Sequence, residues 1–290
     1  MPSGAAARAI NKMITAIASG KGGTGKTTVA VNLALSLGRV QLLDCDVEEP
    51  NAHLFLKPEF KHKRPVEVLI PLINEELCDH CGRCSEFCQY NALAVTKELV
   101  MFFPELCHSC RGCILVCPKD AITEGKRTTG VVEYGVRDDI EFIHGILNVG
   151  EAMASPVISE VKKDMNKEGD VLIDVPPGTS CAVIESVKGV DYCILVTEPT
   201  PFGLNDLKLA VNMLKEMRVP HGVVVNRAGI GDRKVYEYCD GENIRILMEI
   251  PHDEEIARLY SNGVPFVSEL PEYKKRFREM FEGIRGVVEG

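Results

Sequence analysis

Apolar residues fall along this chain in short, nearly continuous runs rather than in strict alternation. Ile14–Ala18 is one such run, ending in a Gly-rich loop. Val40–Leu43 is a second, closed by Asp44, and Val171–Ile173 is a third, closed by Asp174. Tyr192–Val196 and Gly222–Val225 are two more. Runs that are apolar on both faces predict strands of a parallel sheet with helices over both sides. Thr27–Leu37, Asn205–Met217 and Glu254–Asn262 carry the helical patterns between and after them. Strands alternating with helices in this way predict an α/β fold with a mostly parallel sheet.

One region breaks the alternation. From about Phe60 to Arg127 the chain is rich in cysteine and has no long helical period. Lys61–Pro65 at its front and Glu124–Thr129 at its back read as linkers, and β structure resumes at Gly130–Gly135 and Ile140–Ile146. The organisation expected is a leader over residues 1–12, then a first part of the α/β domain over 13–60. A small α+β domain is inserted over 61–127, and the α/β domain resumes over 128–290. At the C-terminus, Tyr273, Phe277, Met280, Phe281 and Ile284 recur at helical spacing. A helix packed on the sheet explains that stripe better than one lying on a membrane surface.

Composition narrows the function classes. A formal net charge of -9 over 290 residues argues against a dominant nucleic-acid footprint. No run is apolar and long enough to predict a membrane span, and residues 1–12 lack the apolar core of a secretory signal. Eight of the twelve cysteines sit in two tight clusters, which suits metal in a reducing compartment better than disulfides. A cytoplasmic protein is expected.

The sharpest chemistry follows the first strand. Gly20-Lys21-Gly22-Gly23-Thr24-Gly25-Lys26-Thr27-Thr28 joins that strand to a helix, the context a phosphate-binding loop requires. Its glycines let backbone N–H groups turn in around phosphate oxygens, and the helix N-terminus adds partial positive charge. Lys26 is placed to reach the β- and γ-phosphates, and the Thr27 hydroxyl to ligate Mg²⁺.

The additional Lys21 makes this loop resemble the deviant Walker A motif of the family that includes MinD, ParA, the nitrogenase iron protein and the Mrp-type carriers. The resemblance implies a P-loop ATPase that dimerises with nucleotide, with Lys21 acting in trans on the partner's nucleotide. Further segments resemble the family's motifs in order. Leu42-Leu43-Asp44-Cys45-Asp46 implies Asp46 orienting or activating the attacking water and Asp44 near Mg²⁺. The segment Val171–Thr179 implies Asp174 holding Mg²⁺ through water. Asn226-Arg227 and the Pro251 loop look like the adenine-side segments, which favours ATP over GTP.

The cysteines supply the second chemistry. Cys78-x2-Cys81-x2-Cys84-x3-Cys88 is followed by Cys107-x2-Cys110-x2-Cys113-x3-Cys117-Pro118, the spacing of a bacterial two-cluster ferredoxin. In that arrangement the fourth cysteine of each run binds the other cluster. Cys78, Cys81, Cys84 and Cys117 would hold one [4Fe–4S] cluster, and Cys88, Cys107, Cys110 and Cys113 the second. Gln89 departs from the pattern, which has proline there. Zinc is the rival metal, because paired C-x2-C units also build tetrahedral sites. Cys45, Cys193 and Cys239 read as packing residues, and Cys181 as a small residue beyond the Walker B turn. No cluster shared across a dimer is expected.

These readings leave three function classes. An ATP-gated electron-transfer protein ranks ahead of an ATP-dependent assembly or carrier protein for metal clusters, and a positioning ATPase ranks third. ATP/ADP, Mg²⁺ and two [4Fe–4S] clusters are the expected cofactors. The partners expected are a second copy in the ATP state and a redox or metallocluster client.

Overall fold

A computed structural model describes residues 12–289. The expected leader, but for Lys12, lies outside the described residues. In chain order the elements begin with β1 (Ile14–Ala18), α1 (Lys26–Leu37), β2 (Val40–Asp44), α2 (Ala52–Leu56) and β3 (Glu59–Ile73). The Cys-rich stretch holds α3 (Arg83–Phe87), β4 (Leu93–Val95), β5 (Val100–Phe102) and α4 (Gly112–Leu115). Then come β6 (Ile122–Arg137), β7 (Ile140–Leu147), α5 (Ser155–Lys163), β8 (Val171–Asp174), α6 (Cys181–Val187) and β9 (Tyr192–Thr197). The chain closes with α7 (Pro201–Glu216), β10 (His221–Ala228), α8 (Lys234–Gly241), β11 (Ile246–Pro251), α9 (Glu254–Ser261) and α10 (Pro271–Glu289).

Nine strands form one sheet in the order β11-β10-β9-β1-β8-β2-β7-β6-β3, parallel except where β6 joins β7 and β3 joins β6. The continuous apolar runs are explained by the two cores they serve. Ala16, Leu43, Ile173, Leu195 and Val223 face one side, where the core includes residues of α5, α6, α7 and α8. Ile17, Leu42, Leu172, Ile194 and Val224 face the other, where α1, α9 and α10 complete the core. Successive strand residues point to opposite faces, and both faces are covered, so most positions are apolar. The α10 stripe of Tyr273, Phe277, Met280, Phe281 and Ile284 is buried in this second core, as the packed-helix reading expects. Among the described residues no helix is long and apolar enough to cross a membrane.

The segments expected as linkers are strands. β3 and β6 form one long antiparallel ribbon, paired from Glu59–Val136 to Ile73–Ile122 with register shifts after Phe60 and after Val66. It runs without a break through the boundaries expected near residues 60 and 127. The strand signal is masked because β3 is the outermost strand of the sheet, and Glu59–Lys63 are exposed. Charge and Pro65 there are what an unpaired sheet edge tolerates. β11 also carries no sequence expectation beyond its Pro251 end, because its outward residues break the apolar run.

At the far end of the ribbon, residues between β3 and β6 close around a third small core of Cys84, Leu93, Val100 and Ile122. One residue spacing carries the first half of this stretch onto the second. It maps His80 onto Ser109, Gly82 onto Arg111 and Asn91 onto Asp120, all with positive φ. It also maps α3 onto α4, so the duplication read from the cysteines extends to the backbone. Gly112 is needed where the two halves meet, because a Cβ there would lie 2.0 Å from the Phe87 ring.

Candidate functional site

The loop between β1 and α1 lies at the C-terminal edge of the sheet. Gly23 and Gly25 hold it open with φ of 78° and 95°, values that glycine adopts without strain. A Cβ on Gly25 would also strike the Asn226 amide nitrogen, at 2.4 Å. Lys26 opens α1 and its side chain is buried. Ser19 closes the strand and donates its hydroxyl to the Lys21 carbonyl at 2.6 Å.

The two aspartates that close β2 and β8 pair in register at the same sheet edge, and both are wholly buried. Their surroundings differ. Asp44 accepts the amides of Asp46, Asn51 and Ala52 at 3.0–3.1 Å, so it pins the loop that leads into α2. Burial, and then the charge of Asp174, raises its pKa well above the usual carboxylate value. Neither carboxylate oxygen of Asp174 has a hydrogen-bond partner. Burial lifts Asp174 to about 6, against the pull of the Lys26 ammonium. An unpartnered buried carboxylate beside a phosphate loop suits a divalent cation, held directly or through water. Asp46, raised in pKa by burial and lowered by Lys26, stands at the mouth of this site.

The residues expected on the adenine side take other partners. Asn226 donates its amide to the Thr24 carbonyl at 2.8 Å, so here it braces the phosphate loop, and its carbonyl oxygen accepts the Arg227 amide. Pro251 closes β11 and is exposed. Arg227 is drawn to a residue that the sequence reading misses. Glu198 directly follows β9 and is 8% exposed. It accepts Lys21 Nζ at 2.6 Å on one oxygen and the Arg227 guanidinium at 3.1 Å on the other. The signal was present, since an acidic residue ending an apolar run is also what singles out Asp44 and Asp174.

The eight clustered cysteines line two separate cavities. Cys88, Cys107, Cys110 and Cys113 line one cavity, together with Leu69, Ile70 and Pro71 of β3. Cys78, Cys81, Cys84 and Cys117 line another, with Ile73 and Ile122 at the ribbon's end. All eight are free thiols. Burial, and after it the neighbouring Cys107, pushes the Cys113 thiol up to about 11, and burial also raises Cys84. Such thiols stay protonated at neutral pH unless a metal displaces the proton. Glu75 and His80 offer oxygen and nitrogen within 4.8 Å of Cys78, a mixed donor set that keeps zinc a chemical rival at that position. Cys45, Cys193 and Cys239 are buried, as packing residues would be, and Cys181 is exposed at the start of α6.

The sequence profile of the CobQ/CobB/MinD/ParA nucleotide binding domain, CbiA, matches residues 15–266. The chain belongs to this family.

An uncharacterized protein of Methanocaldococcus jannaschii is 32% identical over 284 residues, covering 95% of this chain and 98% of its own. An iron-sulfur cluster carrier protein of Aquifex aeolicus is 28% identical over an alignment of 300 positions, covering 96% of this chain and 68% of that one. Among solved structures, the septum site-determining protein MinD of Pyrococcus horikoshii, complexed with Mg-ADP, shares the fold with a TM-score of 0.59. Its identity is 22%, and the match covers 96% of this chain and 98% of that one. The expected α/β P-loop NTPase fold, with a mostly parallel sheet flanked by helices, is thereby shown.

Proposed function

We propose that this family member binds and hydrolyses Mg·ATP and couples a nucleotide-dependent homodimer cycle to electron transfer through two [4Fe–4S] clusters. The observation that carries the reading is the sorting of eight cysteines into two cavities, each lined by three from one run and the fourth from the other. Zinc needs no such exchange, whereas the two-cluster ferredoxin pattern does.

The chain's residues take these roles. Backbone amides of Gly20–Thr28 cradle the phosphates, Lys26 neutralises the β- and γ-phosphate charge, and Thr27 and Asp174 hold Mg²⁺. Asp44 acts through the loop it pins, keeping Asp46 where it orients the attacking water. When bound, each cluster supplies one-electron exchange at a potential set by burial and hydrogen bonding. Ala92 N–H, which donates to Cys88 Sγ at 3.3 Å, is one such hydrogen bond in the chain itself. The redox or metallocluster client would meet the face that carries Cys81 and Cys110, the two exposed cysteines of the runs.

A second reading, ATP-dependent delivery of an assembled cluster, is favoured by the name of the Aquifex aeolicus relative. Anaerobic reconstitution of the full chain separates the two. Electron transfer predicts about eight irons per chain, two reducible clusters by electron paramagnetic resonance, and iron that stays bound through ATP turnover. Delivery predicts iron passing to an apo-protein only when ATP is added. Clusters that no strong reductant reduces would remove the electron-transfer reading. Cys110→Ser should lose one cluster and keep ATPase activity, and Lys26→Ala should lose ATPase activity and keep both clusters. Unchanged iron in the first variant, or unchanged hydrolysis in the second, contradicts the site assignment.

A further inference from the structure

The bridge at Glu198 joins two residues that the nucleotide reading uses separately. Lys21 comes from the phosphate loop and Arg227 from the end of β10, and one carboxylate holds both. Its mount is rigid. The Glu198 carbonyl accepts the Thr200 amide at 2.8 Å, and a Cβ on Gly203 would lie 2.3 Å from that carbonyl oxygen, so α7 closes against it. The Glu198 side chain is 11% exposed, and those of Lys21 and Arg227 are 32% and 49% exposed. The acid is the fixed member, and the two cations are the ones with room to move.

The geometry points to Glu198 as the positioning residue that keeps the Lys21 ammonium folded back on its own chain until a nucleotide-bound partner subunit takes it. This rests on the nucleotide reading above, in which Lys21 acts in trans. A lysine held at 2.6 Å by its own chain cannot at the same time reach a neighbouring phosphate. Release of Lys21 would ordinarily strand a buried carboxylate, which is costly. Here Arg227 remains on the second oxygen, so the carboxylate stays paired after Lys21 leaves. Two cations on one acid thus make a latch that opens without leaving an unpaired charge. No bond is made or broken, and the only change is the ammonium's partner.

The test uses the full-length protein with its iron reconstituted. In the nucleotide-free state, amine labelling with a succinimidyl ester is followed peptide by peptide, with exposed Lys97 as internal reference. Glu198→Gln should label Lys21 about tenfold faster, the scale expected for losing a charge-assisted contact. Light scattering with Mg·ATP should show the same variant dimerising at about tenfold lower protein concentration. In a Lys21→Ala background, Glu198→Gln should no longer alter dimerisation. That last arm separates positioning from a general structural role, which would act whether or not Lys21 is present.

Lys21 labelling at the wild-type rate in Glu198→Gln, or an undiminished effect in the Lys21→Ala background, overturns the proposal. If Glu198→Gln does not fold, Arg227→Gln serves in its place with the opposite sign. Lys21 then has the carboxylate to itself, labels more slowly and dimerises less readily, and faster labelling overturns the latch. A wild-type chain with no response to Mg·ATP overturns the nucleotide reading and the release step together. That failure is recognisable because the labelling difference persists while every scattering trace is flat.

Discussion

A buried carboxylate without a partner is a cost that the metal-free chain carries, and its pH dependence has a definite sign. Asp174 titrates near 6 in the fold against an ordinary 3.8, so the fold disfavours its charged form. The penalty is absent below the ordinary value, grows between the two, and is complete above about 6. Asp174→Asn should therefore stabilise the metal-free protein at pH 7.5 by on the order of 3 kcal/mol, and leave it nearly unchanged at pH 4. The same variant should lose the further stabilisation that Mg·ADP gives the parent. Thermal melts at the two pH values check this, and a lower melting temperature of the metal-free variant at pH 7.5 contradicts it. Asp44 and Asp174 were legible because an acid that ends a buried apolar run has few structural reasons to be there. Asn226 was legible as a residue of the site but not in its contact. Its bond to the Thr24 carbonyl depends on how β10 and the loop after β1 meet, which no local pattern encodes.

Elements were legible in proportion to how fully the sheet buries them. β2, β8 and β9 are buried at every position and are plain in the chain. The ribbon of β3 and β6 was hidden because its outer half faces solvent and carries charge, the composition that linkers share. Helix α10 was legible from its stripe, and Phe277 at 0% exposure is its deepest anchor. Phe277→Ala should cost about 3–5 kcal/mol in chemical denaturation, and wild-type stability would contradict the docked helix. In the Cys-rich stretch the duplication was visible, but the contact between its halves was not. Gly112→Ala places a methyl group 2.0 Å from the Phe87 ring. It should destabilise the chain by about 1–3 kcal/mol and lower iron retention after reconstitution. Phe87→Ala in the same chain should restore part of that retention, and equal retention by Gly112→Ala and the parent contradicts the packing.

At the scale of the whole molecule, the ribbon ties the two chemistries together. The loop that holds Asp46 continues to Val47, whose carbonyl accepts the Leu147 amide at 2.8 Å. Asn148 beyond it donates its backbone amide to the Thr129 carbonyl of β6 at 2.9 Å, near a half-buried ion pair of Arg127 with Glu151. From there β3 and β6 run paired to the walls of both cysteine cavities. A change in the loop at Asp46 thus has a continuous hydrogen-bonded route to the two cysteine cavities. Whether that route carries energy is read most directly by a potentiometric titration of the reconstituted chain, with and without Mg·ATP, using Lys26→Ala as control. The account predicts a nucleotide-dependent shift of at least one cluster potential on the order of 60 mV, a tenfold change in a one-electron equilibrium, that is lost in Lys26→Ala. Potentials that are identical with and without nucleotide, in a protein shown to bind it, would contradict the coupling.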